Sequence, residues 1–227
     1  MSEAVIKYDN GLMLLIDKPK DYSSAKIVNI VKKRLNVRKA GHSGTLDPNA
    51  SGLMIICTDK MTKSLNSLLT YSKEYEGIMV LGKSTSSFDG ETEVVKEESI
   101  KHLSNEQIIG EAKNFEGEIK QIPPMYSAIK FKGKPLYKYA RKHQEVERQP
   151  RSVYIKSFEI NNIQLPEVSF RVECSKGTYI RALVNDFGNK LGVGAYLKEL
   201  RRLKIGEYDV KDSIKLDDFL SIYPRIN

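Results

Sequence analysis

Cysteine is scarce in this chain, with two in 227 residues, Cys57 and Cys174. They lie far apart, each inside an apolar or alternating run. Counting leaves a single disulfide open, but no Cys pair or Cys/His cluster has metal-ligand spacing, so buried free thiols are the better expectation and a metal site is not expected. Histidine is rare too, with three. No apolar run approaches the ~20 residues that a membrane helix needs, and the polar start, Met1 to Asn10, has no secretion-signal pattern. A cytoplasmic chain with no membrane contact is expected, and the Asn-x-Ser match at Asn49 then carries no weight. There is no internal repeat and no low-complexity tract.

What is present is ordinary for a globular protein: 40% hydrophobic and 29% charged residues. The length suits one large domain, or one domain with a small appendage, with a substantial core. Lys and Arg outnumber Asp and Glu by 37 to 29, a net charge of +8. That is a mild pointer to a polyanionic partner, although an uninvolved basic surface accounts for the charge equally well.

The apolar runs Leu12–Ile16 and Leu53–Cys57 read as buried strands, separated by a helix and a loop. Ser23-Ser24 can cap that helix, which carries Ile27, Val28, Val31 and Leu35 on one face. A longer strand alternates through Tyr75, Gly77, Met79 and Leu81. Ser104 and Gln107 form a capping-box pattern ahead of Ile108, Ile109, Ala112 and Phe115, with Gly117 suited to the helix end. Val153–Ile160 reads as a strand. Val168, Phe170, Val172 and Cys174 alternate with polar residues, so that strand shows one face to water. Thr178 is placed to cap a helix bearing Ile180, Leu183, Val184, Phe187 and Leu191, which Gly192 ends. Leu203–Val210 is a weaker strand. Strands grouped like hairpins and interrupted by a few helices predict an α+β fold around a mixed or antiparallel sheet.

Two segments invite functional readings of different worth. Lys130 to Arg151 holds eight bases, Lys130, Lys132, Lys134, Lys138, Arg141, Lys142, Arg148 and Arg151, against Glu145 and Glu147. Phe131, Tyr137 and Tyr139 are interleaved. Cations meet phosphates and aromatic faces stack on splayed bases, so the mixture suits looped RNA, although a solvated basic loop has the same composition. Gly77-Ile-Met-Val-Leu-Gly82-Lys83-Ser84 matches a phosphate-binding loop pattern. That pattern works only as a loop opening a helix, whereas these residues are strand-like and are followed by turns, so no nucleotide site is expected.

The stretch Gly41-His-Ser-Gly-Thr-Leu-Asp-Pro48 is the most informative. Two glycines allow close backbone approach, and Pro48 restricts Asp47 to extended geometry, which limits the directions its carboxylate can take. By itself this is also a plain Asp-Pro turn. Its company changes the reading: Ile16-Asp-Lys-Pro19 with Ser23-Ser24 before it, and Ala50-Ser-Gly-Leu53 after it. Then come Tyr75, Leu81-Gly-Lys-Ser-Thr85, Phe88-Asp-Gly90, Gln121-Ile-Pro-Pro124, Ser127-Ala-Ile-Lys130, Tyr137-Lys-Tyr-Ala-Arg141, Lys176-Gly-Thr-Tyr-Ile-Arg181 and Leu200-Arg-Arg-Leu203. In this order and spacing the chain resembles, nearly end to end, the TruB-type tRNA pseudouridine-55 synthases. Asp21 departs from the pattern, standing where that family often has Gly, and a local turn adjustment is expected there.

The resemblance implies a pseudouridine synthase fold and isomerisation of a uridine flipped out of a tRNA T-arm stem-loop, with no cofactor, nucleotide or metal. It implies that Asp47 is the catalytic carboxylate and Arg181 its partner. Tyr75 would stack on the flipped base and serve as a candidate base for the C5 proton. Tyr179 and Leu200 would pack around the uracil, and His42 would fill the space it leaves. Lys18 and Pro19 would brace the loop. The segment from about 121 to 151 would be an insertion closing over RNA, with Lys130, Lys132, Lys134, Arg141 and Arg151 on the RNA backbone. Many such chains continue into a small C-terminal RNA-binding PUA domain. With Asn227 as the last residue, the expectation is one catalytic domain over 1–227, without a PUA domain, acting as a monomer. Other readings are a guide-dependent or other-RNA pseudouridine synthase and a non-catalytic tRNA-binding or folding protein.

Overall fold

The computed structural model describes residues 4–8 and 11–224; the polar start, Met1 to Asn10, and the last residue lie partly or wholly outside that range. In chain order the elements are β1 (Val5–Tyr8), β2 (Gly11–Lys18), α1 (Ser24–Arg34), β3 (Ala40–His42), β4 (Ser51–Thr58), a 3-10 turn (Asp59–Ser64), α2 (Leu65–Leu68), β5 (Lys73–Leu81), β6 (Lys83–Thr85), β7 (Val94–Glu97), α3 (Asn105–Asn114), β8 (Gly117–Gln121), β9 (Lys130–Phe131), β10 (Lys134–Pro135), α4 (Leu136–Ala140), β11 (Arg151–Gln164), β12 (Glu167–Cys174), α5 (Ile180–Lys190), β13 (Ala195–Ile205), β14 (Tyr208–Asp209), a second 3-10 turn (Val210–Asp212), β15 (Ile214–Lys215) and α6 (Leu216–Ile222). They form two compact units, one holding the chain up to Glu76 with everything from Glu199 onward, the other running Gly77–Lys198.

The first unit is built on β2 and β4, which pair antiparallel from Met13↔Cys57 to Lys18↔Gly52. Both are near-continuous apolar runs, and Leu14, Ile16, Leu53, Met54, Ile55 and Ile56 are fully buried. Burial on both faces is what selects such runs for the inside of a sheet. β1 adds antiparallel to β2, and β3 antiparallel to β4. β13 joins β4 in parallel at Arg201↔Ser51 and Arg202↔Gly52, and β15 joins β2 in parallel. Ser23 caps α1 by accepting from Lys26 N, and Ile27 and Val31 are the buried face of that helix.

The second unit carries the antiparallel strands β8, β11 and β12. β12 alternates as its sequence dictates, with Val168, Phe170, Val172 and Cys174 buried. α3 packs on β11 and meets α5. Phe115, Phe158, Phe170 and Phe187 interlock there at ring centroid distances of 5.5 to 6.4 Å, mostly edge to face, an arrangement favoured by the ring quadrupoles. The expected α+β architecture with mixed strands is therefore present. Among the described residues, no helix is long and apolar enough to cross a membrane.

Several local expectations need correction. The weak strand expected at Leu203–Val210 is instead the end of β13, which runs from Ala195 to Ile205, followed by a turn, β14 and the start of the second 3-10 turn; Lys198, Glu199 and Arg201 interrupt the apolar pattern of β13 and hid its first half. β11 runs past the expected end at Ile160 to Gln164. The N-cap of α5 is Tyr179 and not Thr178, whose hydroxyl donates to Ser175 O at 2.9 Å. α3 has its capping box, but its inward stripe is Ile108, Ala112 and Phe115, so Ile109 is 44% exposed. Gly117 opens β8 two residues after the Phe115 C-cap. Other expectations hold: Gly77–Ser84 is strand, turn and strand, with Lys83 paired to Glu97 at 3.0 Å, and it opens into turns and not into a helix. Cys57 and Cys174 are buried free thiols, and burial pushes the Cys57 thiol up to about 11.

Candidate active site

The stretch bearing Asp47 leaves the sheet after β3 and returns at β4. Ser43 N still donates to Ile55 O at 3.0 Å, extending the β3–β4 pairing by one residue. Beyond it, Asp47 O accepts from Ala50 N at 3.1 Å and closes a turn with Pro48 at its second position. Asp47 itself is half-buried.

The segment joining β2 to α1 grips this turn from both sides. Pro48 O accepts from Asp21 N at 2.9 Å and from Lys18 Nζ at 3.2 Å. Lys18 Nζ also donates to Pro19 O at 2.9 Å and Tyr22 O at 2.7 Å, so all three of its protons are used. On the other side of Asp47, the buried Ser24 hydroxyl donates to Leu46 O and accepts from Leu46 N, both at 2.8 Å. Asp21 has φ +67°. That is the left-handed region where Gly is cheapest and Asp is among the tolerated residues. The backbone thus keeps the glycine-like turn, and Asp21 adopts it.

A second brace comes from β13. Arg202, 1% exposed, donates from Nε to Leu53 O at 2.7 Å and from Nη2 to Gly44 O at 3.2 Å. One guanidinium therefore ties the first half of the Asp47 loop to β4. The approach is possible because Gly52, at φ +104°, has no side chain: a Cβ there would sit 2.2 Å from Arg202 O. The neighbouring Arg201 forms a bidentate pair with Asp17, at 3.0 and 2.8 Å, so Asp17 raises its pKa.

These cations set the local electrostatics. Burial holds the Lys18 pKa down to about 8 from its ordinary 10.5, with Asp47 and Asp21 pulling up and Arg202 down. An unfolded lysine titrates near 10.5, so between about 8 and 10.5 the unfolded chain binds more protons than the folded one. Stability from this group therefore rises with pH across that window and is flat below it. Lys18→Met is expected to remove that rise, read as the difference between wild-type and variant Tm against pH; parallel curves would contradict it. Burial and then Arg202 hold His42 below its ordinary 6.5, so its ring is neutral at pH 7, and its Nδ1 accepts from Gly44 N at 3.3 Å.

The first unit therefore brings Lys18, Pro19, His42 and Asp47 into one braced segment. Tyr75 is buried on β5 and Leu200 half-buried on β13 in the same unit. Arg181 and Tyr179 belong to the second unit. Arg181, 5% exposed in the first turn of α5, donates to Ser87 O at 3.1 Å and Tyr126 O at 2.8 Å and lies 3.5 Å from Asp89. It is a buried, directed cation, not a solvated helix charge. Tyr179 is clasped by Gln121, whose Oε1 accepts from Tyr179 N at 2.8 Å while its Nε2 donates to Tyr179 O at 3.1 Å. The segment after Gln121 leaves the β8–β11 pair and returns at Arg151, which is registered with Gln121. Between them, Lys130, Lys132, Lys134 and Arg141 are exposed, as is Arg151. Phe131 and Tyr139 meet edge on at 5.9 Å, and Arg141 lies over Tyr137.

Sequence reasoning missed Ser24, Arg202 and the Asp17–Arg201 pair as supports of the site, and Ser87, Asp89 and Tyr126 around Arg181. One signal was available for the first group: Asp17 and Lys18 end an apolar strand, and Arg201-Arg202 interrupt another, where unpaired charge is costly.

The comparisons with known proteins agree with one another. Residues 32–180 match the model of the TruB family pseudouridylate synthase N-terminal domain, and 181–226 that of the tRNA pseudouridylate synthase B C-terminal domain. The tRNA pseudouridine synthase B of Flavobacterium johnsoniae is 46% identical over 94% of this chain and 96% of its own length. That of Clostridium tetani is 46% identical over 92% of this chain and 72% of its own length. Among solved structures, the crystal structure of a Cbf5-Nop10-Gar1 complex holds a chain matching at TM-score 0.72 and 34% identity over 94% of this chain. The match covers 54% of that longer chain, about half its length. With two family models and near-full-length relatives in agreement, the chain belongs to the TruB family of pseudouridylate synthases.

Proposed function

We propose that this chain converts a uridine of tRNA, position 55 in the T-arm stem-loop, to pseudouridine, acting in the cytoplasm as a monomer. The observation that carries the reading is the Asp47 turn, gripped by Lys18, Ser24 and Arg202 within a family whose relatives are named for this reaction. In the reaction the C1′–N1 bond breaks, the base turns, and a C1′–C5 bond forms while C5 gives up a proton and N1 gains one. Atoms and electrons balance without an oxidant. What the chemistry needs is a directed carboxylate beside the sugar and base, and preorganisation of that kind is where such sites obtain rate.

Asp47 supplies the carboxylate and Arg181 a directed cation. Tyr75 stacks on the extruded base and is the candidate base for the C5 proton, with Tyr179 and Leu200 packing around the uracil. His42 occupies the gap left in the loop. Extrusion costs roughly a few kcal/mol, which stacking and phosphate contacts from Lys130, Lys132, Lys134, Arg141 and Arg151 offset. The test is a T-arm stem-loop carrying tritium at uridine C5, mixed with purified protein with and without EDTA. Stoichiometric release of tritium to water is expected; an unmodified RNA in both buffers would overturn the reading. A solved neighbour described as an H/ACA RNP bound to a substrate RNA gives one ground for the alternative of a guide-dependent or other-RNA synthase, and conversion of the bare stem-loop without any added RNA would exclude a guide requirement.

A further inference from the structure

The phosphate contacts proposed above lie on the second unit alone, yet the first unit carries a long run of one-signed charge as well. Between Asp21 and Asp47 stand 25 residues without a carboxylate, where the chain's average of 29 in 227 would place roughly three. The same stretch holds six bases: Lys26, Lys32, Lys33, Arg34, Arg38 and Lys39. Lys32, Lys33, Arg38 and Lys39 are exposed. Among the described residues none of these four pairs with a carboxylate, whereas Lys20, Lys83, Lys96, Arg141, Lys156 and Lys198 all do.

Support of the helix explains only part of this. Cations in the last turn favour the negative end of the helix dipole, which covers Lys32, Lys33 and Arg34, and Arg34 also donates to Tyr223 O at 3.1 Å. Arg38 and Lys39 lie beyond the helix and gain nothing from it. The turn that presents them is rigid: Asn36 takes φ +48°, Asn36 N donates to Lys33 O at 3.4 Å and Val37 N to Lys32 O at 3.2 Å, the two bonds of a Schellman end. Lys39 then stands immediately before β3, three residues before His42, a span of at most about 10 Å of chain. None of the exposed large hydrophobic residues falls in this stretch, so it has no apolar wedge for a membrane or a protein groove.

Resting on the proposed function, we propose that Lys32, Lys33, Arg38 and Lys39 form a second phosphate-binding surface, which holds the RNA backbone beside the reacting uridine. It acts by charge, so it adds affinity and strong salt dependence but no sequence selection.

Arg38→Gln/Lys39→Gln isolates the two cations that have no structural duty. Its affinity for a T-arm stem-loop is measured by fluorescence anisotropy between about 50 and 200 mM KCl. Binding roughly tenfold weaker at the upper salt is expected, with the slope of log K against log salt shallower by about 1.4 to 1.8. Arg38→Lys/Lys39→Arg should restore both, and Lys211→Gln, an exposed change elsewhere, should alter neither. Unchanged affinity and slope in the double variant, while wild-type protein binds and modifies the same RNA, would overturn this surface and leave the function standing. Loss of binding to anionic phosphatidylserine vesicles with RNA affinity unchanged would overturn it too, assigning the patch to lipid. Wild-type protein that neither binds nor modifies the RNA would overturn the function first and this surface with it.

Discussion

Asp47→Asn is expected to lower the single-turnover rate of pseudouridine formation by about 1,000-fold or more while leaving RNA affinity within about threefold of wild type. The side chain keeps its shape and loses its charge. The turn survives, because its closing bond, Ala50 N to Asp47 O, is main chain, and because Lys18 and Asp21 hold Pro48 while Ser24 holds Leu46. A loss of rate therefore reports the carboxylate and not a collapsed loop. One further consequence separates the two. Asp47 raises the Lys18 pKa, so the variant should move that titration below 8 without a large change in Tm. A variant with wild-type rate would show that Asp47 is not the carboxylate on which the reaction depends.

Arg202→Met is expected to destabilise the protein by about 2–4 kcal/mol. It leaves Leu53 O and Gly44 O without their donor, at roughly 1–3 kcal/mol for each buried carbonyl. Releasing a buried cation from its desolvation cost offsets part of that loss. Arg202→Lys keeps the charge but cannot reach both carbonyls from one planar group. It should lose more activity than stability, because the Gly44 side of the loop is freed. Arg202 lowers the pKa of both Lys18 and His42, so in the Met variant both should titrate at higher pH, which NMR of the His42 ring can follow. Urea unfolding indistinguishable from wild type would show that the two hydrogen bonds add nothing.

The fold was legible wherever a short window contains its own explanation. β2 and β4 are apolar runs, β12 alternates over its whole length, and Ser104 with Gln107 names the start of α3. Where a competing local bond exists, the window misleads: Thr178 had the right residue type for a cap, but its hydroxyl is used by Ser175 O. β13 was half hidden because its charged residues belong to partners elsewhere, Arg201 to Asp17 and Lys198 to Glu167. The candidate residues themselves were legible only through their ordered motifs. Nothing within a few residues of Asp47 announces Arg202, and nothing near Arg181 announces Tyr126 O. Such supports are set by which strands and loops become neighbours, and that information is spread over the whole chain.

The Arg202 brace also bears on when the loop can take shape. Its guanidinium reaches Leu53 O across 149 residues and Gly44 O across 158. Contacts of such high order form late, since chain-closure entropy must be met before they contribute. During synthesis the whole motif around Asp47 leaves the ribosome long before β13 exists. A nascent or truncated chain ending before β13 carries every residue of that motif and lacks the strand that fixes it. Competence for chemistry is thus tied to completion of β13, and an N-terminal fragment is expected to be inert even where its own helix and strands have formed.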